Sequence, residues 1–203
     1  MVIAKSNWCG GNRMNMIKRS HFLLNTLNCI ARTAYVEGAP ITEEAVYNLS
    51  ELIRCTLAER DQIQTIRGEI DTVRNYLKLQ KIRLNDHFEF QIAVSDSAAD
   101  CRIPNMTLLP IVESIVMQGL TNDRECLRIL ICVKEVGKNI EIFIEDNRSY
   151  SKESQGYGED DRYMVDRKLK CYFGNEYGVR TERKELGKGC VTAVSVPWRD
   201  KDD

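Results

Sequence analysis

The apolar period of this 203-residue chain first switches from helical to strand spacing near residue 86, and that switch separates an all-helical stretch from one that must also form a sheet. Before it, apolar residues recur at Ile17, Leu24, Leu27, Ala31 and Ala34, then at Val46, Leu49, Ile53 and Leu57, then at Ile70, Val73, Leu77 and Leu84. Stripes with this helical spacing need a partner surface. After Asn85-Asp86, Phe88, Phe90, Ile92 and Val94 alternate with polar residues, as in a half-buried strand. The pattern predicts an α+β protein: a loose lead-in at 1–12 containing Gly10-Gly11, a helical region at 13–86 and an α/β region at 87–203.

Within the helical region, Glu37-Gly38-Ala39-Pro40 stops a first helix near Val36, and Thr42 is expected to cap a second, with Glu43 and Glu44 in its first turn. So short a turn makes an antiparallel hairpin. Each helix carries more apolar stripe than one hairpin can cover, so the expected assembly is a dimeric four-helix bundle. A third helix is expected over 66–84. Further on, Pro104 is expected to open a helix through Leu108, Ile111, Val112, Ile115 and Val116. Strands follow at 127–133 and 140–144, then a polar loop at 148–161, a helix at 163–173, and strands at 179–184 and 191–196.

Composition narrows the function classes. With 29 basic and 30 acidic residues no field draws the chain to nucleic acid. Eight cysteines without a C-x-x-C pair, and only two histidines, argue against zinc and for reduced thiols. No apolar run is long enough to cross a bilayer, so a cytoplasmic protein, or the cytoplasmic part of a membrane-anchored receptor, is expected.

His21 stands just off the first apolar seam. With Asn25, Asn28 and Arg32 it forms a polar stripe at steps of four, three and four. That holds the backbone rigid and the imidazole near solvent. A ring so placed can accept a group from another protein, and the same spacing fits a surface histidine bonded to Asn25 one turn away.

These residues, with four later segments, resemble a known family. Ser20 is followed by His21-Phe22-Leu23-Leu24-Asn25-Thr26-Leu27-Asn28. Tyr76-Leu77-Lys78-Leu79-Gln80 with Arg83, Leu109-Pro110-Ile111-Val112-Glu113-Ser114, Asp146-Asn147 and Gly187-Lys188-Gly189-Cys190 follow in order. Together they are similar to bacterial sensor histidine kinases of the LytS type, over roughly residues 18–197. The resemblance implies a helical hairpin for dimerisation and phosphoacceptance, followed by a GHKL-type α/β sandwich. It implies ATP and Mg2+ as cofactors, a response regulator as partner, and a homodimer, or a heterodimer with an active kinase. His21 would be the phosphoacceptor and Asn25 its neighbour in the motif. Glu113, Ser114, Asp146, Asn147, Gly187, Gly189 and Cys190 would fall on the nucleotide site, Asp146 taking the adenine amino group.

The chain departs from the family pattern at that site. Ser114 replaces the magnesium-binding asparagine, and Gln118 the histidine of a following histidine-glycine pair. Arg148 replaces the glycine after Asp146-Asn147, with Tyr150 at the next glycine, and Cys190 stands for a threonine. Where glycines should hold phosphate the chain has Glu159-Asp160-Asp161, which repel it, while Gly156-Tyr157-Gly158 lies nearby. If the glycine backbone is kept, a side chain at 148 costs about 1–2 kcal/mol. An arginine there could instead clamp phosphates. These departures predict a histidine kinase module with impaired or lost ATP binding. The alternatives are an ATP-independent histidine phosphotransfer protein or a pseudokinase interaction module.

Overall fold

A computed structural model describes residues 8–57, 63–122, 126–149, 159–184 and 188–198. The chain divides into two compact units, Met1–Ala58 and Glu59–Asp203.

The first unit is a hairpin of α1 (Trp8–Val36) and α2 (Pro40–Leu57). Helix α1 includes Gly10-Gly11, so the expected lead-in is helical from residue 8 onwards. Gly38, at φ +68°, turns the chain, and the Gly38 and Ala39 N–H groups donate to Tyr35 and Ala34 carbonyls at 3.1 and 2.9 Å. Thr42 does not cap α2. The helix starts two residues earlier at Pro40, whose fixed φ suits a first helical position and whose missing N–H costs nothing there.

Leu27 and Ala34 of α1 are buried, with Leu24 and Ala31 half-buried, as their spacing predicts. On α2 the buried positions are Asn48, Ser50 and Leu52. The expected stripe stays largely outward, with Leu49 and Leu57 exposed and Val46 and Ile53 half-buried. The pattern identified an apolar stripe correctly; it could not say which stripe the hairpin itself would use.

In the second unit, β1 (Ile63–Thr65) leads into α3 (Ile66–Leu84). Thr65 caps α3 by accepting from Gly68 N–H at 3.2 Å. The boundary between units therefore falls ahead of α3, not near residue 86, because α3 packs on the sandwich through buried Ile66, Ile70, Val73 and Leu77. A single 3₁₀ turn, Asn85–His87, carries the chain into β2 (Phe88–Val94). Next come α4 (Asp96–Ala99), β3 (Arg102–Pro104), α5 (Leu108–Asn122), β4 (Leu127–Val136), β5 (Asn139–Ser149), α6 (Glu159–Phe173), β6 (Gly178–Arg183) and β7 (Lys188–Pro197). Pro104 ends β3 rather than opening α5, which begins at Leu108.

The five-stranded sheet has the order β2-β4-β5-β7-β6, with β2 parallel to β4 and every other pair antiparallel. β1 and β3 form a separate antiparallel pair. Alternate residues of the sheet (Ile129, Ile131 and Val133; Ile140, Ile142 and Ile144; Val194 and Val196) are buried against the helices. Helix α5 is buried on nearly every side, so it is the central element of the helical layer.

Candidate functional site

His21 lies on α1 with its side chain exposed, and its Nδ1 is 3.1 Å from Asn25 Nδ2, one helical turn on. As drawn, the amide donates to Nδ1 and a neutral ring carries its proton on Nε2. With the amide turned over, Nδ1–H donates to the Asn25 carbonyl and Nε2 keeps its lone pair, the form a nucleophile needs. Either way the contact fixes the ring plane and points Nε2 away from the backbone.

In the α/β unit the start of α5 is fixed by a residue the sequence did not single out. Glu69, buried on α3, accepts from Met106 N–H at 2.7 Å, Thr107 N–H at 2.9 Å and Leu108 N–H at 2.8 Å, and also from the Gln64 amide. A carboxylate thus occupies the N–H end of the helix, where an anion is most stable. It also holds Met106 at φ +59°, a strained backbone for a side-chain-bearing residue.

Nearly two and nearly three turns into α5 come Ser114 and Gln118, facing Asp146 and Arg148 of β5. Asp146 and Arg148 are buried, with side chains 1% and 5% exposed. Arg148 Nε donates to Asp146 Oδ1 and Nη2 to Oδ2, both at 2.8 Å, and the Arg148 backbone N–H reaches Oδ1 at 3.0 Å. Its Nη1 donates to Gln118 Oε1 at 2.6 Å and to the Ile115 carbonyl at 3.3 Å. Gln118 Nε2 in turn lies 3.3 Å from Ser114 Oγ. Ser114, Gln118, Arg148 and Asp146 form one hydrogen-bonded chain. Asp146 therefore offers no open carboxylate to a base, and the arginine is not a clamp held ready for phosphates.

The glycine-turn penalty expected at residue 148 does not arise. β5 continues to Ser149, pairing it with Lys188 after an irregularity beyond Asp146, and Arg148 is not left-handed. Gly189, at φ +98°, passes so close that an added Cβ would meet the Asp146 carbonyl at 2.6 Å. Cys190 is buried directly opposite Asp146 in the ladder. Asn147 points elsewhere: it accepts from Arg128 N–H at 2.7 Å and donates to the Cys126 carbonyl at 3.0 Å, tying β5 to the start of β4. Gly156, Gly158 and Gly187 lie outside the described residues.

Glu113 faces a groove of about 720 Å³ between α5 and α6, lined also by Asp161, Met164, Lys168 and Tyr172. Partial burial, and then the like charge of Asp161, push the Glu113 carboxyl up. Burial, with Glu113 adding to it, pushes the Tyr76 phenol up to about 12. Asp160 and Asp161 lie in the first turn of α6, where a negative charge suits the N-terminal end of a helix.

The histidine kinase family profile matches residues 15–88, which include His21 and the Tyr76–Arg83 segment. Over 184 residues, 89% of the chain, it is 28% identical to the sensor histidine kinase BtsS of Escherichia coli. It is also 28% identical over 185 residues to the sensor histidine kinase YesM of Bacillus subtilis. The chain is similar in sequence to sensor histidine kinases across most of its length. It spans about a third, 32%, of the length of these two relatives. The histidine kinase fold is also seen in a solved structure: Acinetobacter baumannii histidine kinase AdeS covers 91% of this chain and 98% of its own, with TM-score 0.51 at 10% identity. Sensor histidine kinases as a family use ATP and Mg2+. In this chain Ser114, Gln118 and Arg148, the three departures from the pattern it resembles, all lie on the one hydrogen-bonded network just described.

Proposed function

We propose that this chain is a cytoplasmic module of a two-component sensor histidine kinase. In this reading His21 accepts a phosphoryl group and passes it to an aspartate of a response regulator, and the chain's own use of ATP is impaired. The observation that carries the reading is the exposed imidazole of His21, held at Nδ1 by Asn25 inside a family-matched helix. A neutral ring nitrogen attacks phosphorus, the phosphorus–oxygen bond to the donor breaks, and the product phosphoramidate is labile enough to be passed on. The outward stripe Val46-Leu49-Ile53-Leu57 supports pairing of hairpins, with a second copy or with an active kinase built on the same hairpin. Among the described residues no helix is long and apolar enough to cross a membrane.

A second reading, transfer without ATP, is favoured by Asp146 being taken up by Arg148. It makes His21 a relay fed by another protein. The test is incubation with γ-labelled Mg-ATP, alone and with either an active histidine kinase or a phosphorylated regulator. Slow label alone and fast, acid-labile label with a second protein are expected, all of it lost in His21→Ala. Absence of label under every donor would overturn both readings.

A further inference from the structure

We propose that Arg148 is a built-in ligand, its guanidinium filling the subsite at Asp146 and closing the α/β unit to purine rings. The role of Asp146 in this proposal rests on the family register; the occupancy rests on geometry. The guanidinium presents a planar pair of N–H donors, Nε and Nη2, to both carboxylate oxygens. A purine amino group would present N–H to the same oxygens, so the two compete for one acceptor.

Three observations distinguish a constructed plug from loose erosion of a pocket. Each guanidinium nitrogen has an acceptor, including Gln118 Oε1 and the Ile115 carbonyl. Gln118, itself a departure from the family pattern, supplies the acceptor that Arg148 needs, and its amide nitrogen reaches Ser114, a third departure. The backbone matches: β5 continues to Ser149 through an irregularity at residues 147–148, and the Arg148 side chain reaches inward to the Ile115 carbonyl. A buried ion pair this well bonded persists because losing either partner strands a charge.

Removing the guanidinium should therefore create a site rather than merely destroy one. The experiment titrates the full chain, wild type and Arg148→Gly, with adenosine, inosine and guanidinium ion by calorimetry and thermal melting. Adenosine needs no magnesium, so the result does not depend on Ser114. Wild type is expected to show no saturable adenosine binding to about 1 mM, and Arg148→Gly to bind at least about tenfold more tightly. Inosine, lacking the amino group, should bind the variant less well. Guanidinium at about 5 mM should raise the melting temperature of the variant but not of wild type, with equal sodium chloride and urea as controls. If the variant is unfolded in plain buffer, recovery of a cooperative melt on adding guanidinium or adenosine reads the same subsite.

Adenosine binding wild type as tightly as the variant would overturn the proposal. So would a variant indifferent to both adenosine and guanidinium. Neither result touches phosphoacceptance by His21, which is measured separately on the helical hairpin, so failure here is distinguishable from failure of the family reading.

Discussion

Glu113 sits at the rim of the α5–α6 groove with its carboxyl pushed up by partial burial and by Asp161. The folded protein holds this proton through a pH range in which the unfolded chain has released it, so stability falls as pH rises through that range. Glu113→Gln removes the titration. It should raise the melting temperature at pH 7, and the advantage should fade towards pH 4, near the ordinary carboxylate value. Melting curves across pH check this; an advantage that grows with acidity would contradict it. Glu69 makes the opposite case, a carboxylate the fold requires. Glu69→Ala leaves the N–H groups of Met106, Thr107 and Leu108 without their acceptor and releases the strained turn at Met106, a loss of about 3 kcal/mol by chemical denaturation. Gly189→Ala forces a Cβ against the Asp146 carbonyl at a left-handed position, and should cost about 2 kcal/mol.

At the scale of elements, the hairpin gives α2 a buried face of Asn48, Ser50 and Leu52 and an outward apolar stripe; the two are distinct. Leu52 belongs to the buried one, while Leu49 on the outward one is 39% exposed. Leu49→Arg should convert a dimer to monomer in analytical ultracentrifugation while leaving helical content intact. Asn48 is buried in the hairpin and its amide nitrogen has no partner among the described residues. Asn48→Leu should therefore stabilise the hairpin by about 1 kcal/mol.

The same elements show what could be read from sequence. α3 and β2 fall where their periods place them, because a long amphipathic helix and an alternating strand advertise themselves locally. β1 and β3 are three residues each, too short to show any period. The choice of stripe on α2 depends on what it packs against, which spacing alone does not encode.

At the scale of the molecule, the histidine and its asparagine were legible because they are one turn apart on one helix. The state of the region where the resemblance places a nucleotide site was legible only in part. Sequence showed that Ser114, Gln118 and Arg148 depart from the family, but not that they touch, since Gln118 and Arg148 are 30 residues apart and meet only when α5 packs on β5. Three changes that look like separate losses become one bonded chain in space. The glycine-to-arginine change looked like backbone strain and is instead an extended strand carrying a satisfied guanidinium.

On the reading proposed here, a hairpin that carries the phosphoryl group is joined in sequence to an α/β unit whose Asp146 is taken up by its own Arg148. The central claim is that His21 is the residue that carries the phosphoryl group. The direct measurement charges the chain with phosphoramidate, a small phosphoryl donor, and follows transfer to a panel of response-regulator receiver domains. Transfer from the wild-type chain, none from His21→Ala and unchanged transfer from His87→Ala are the predicted results. Transfer that survives loss of His21, or a charged His21 that no regulator discharges, would contradict it.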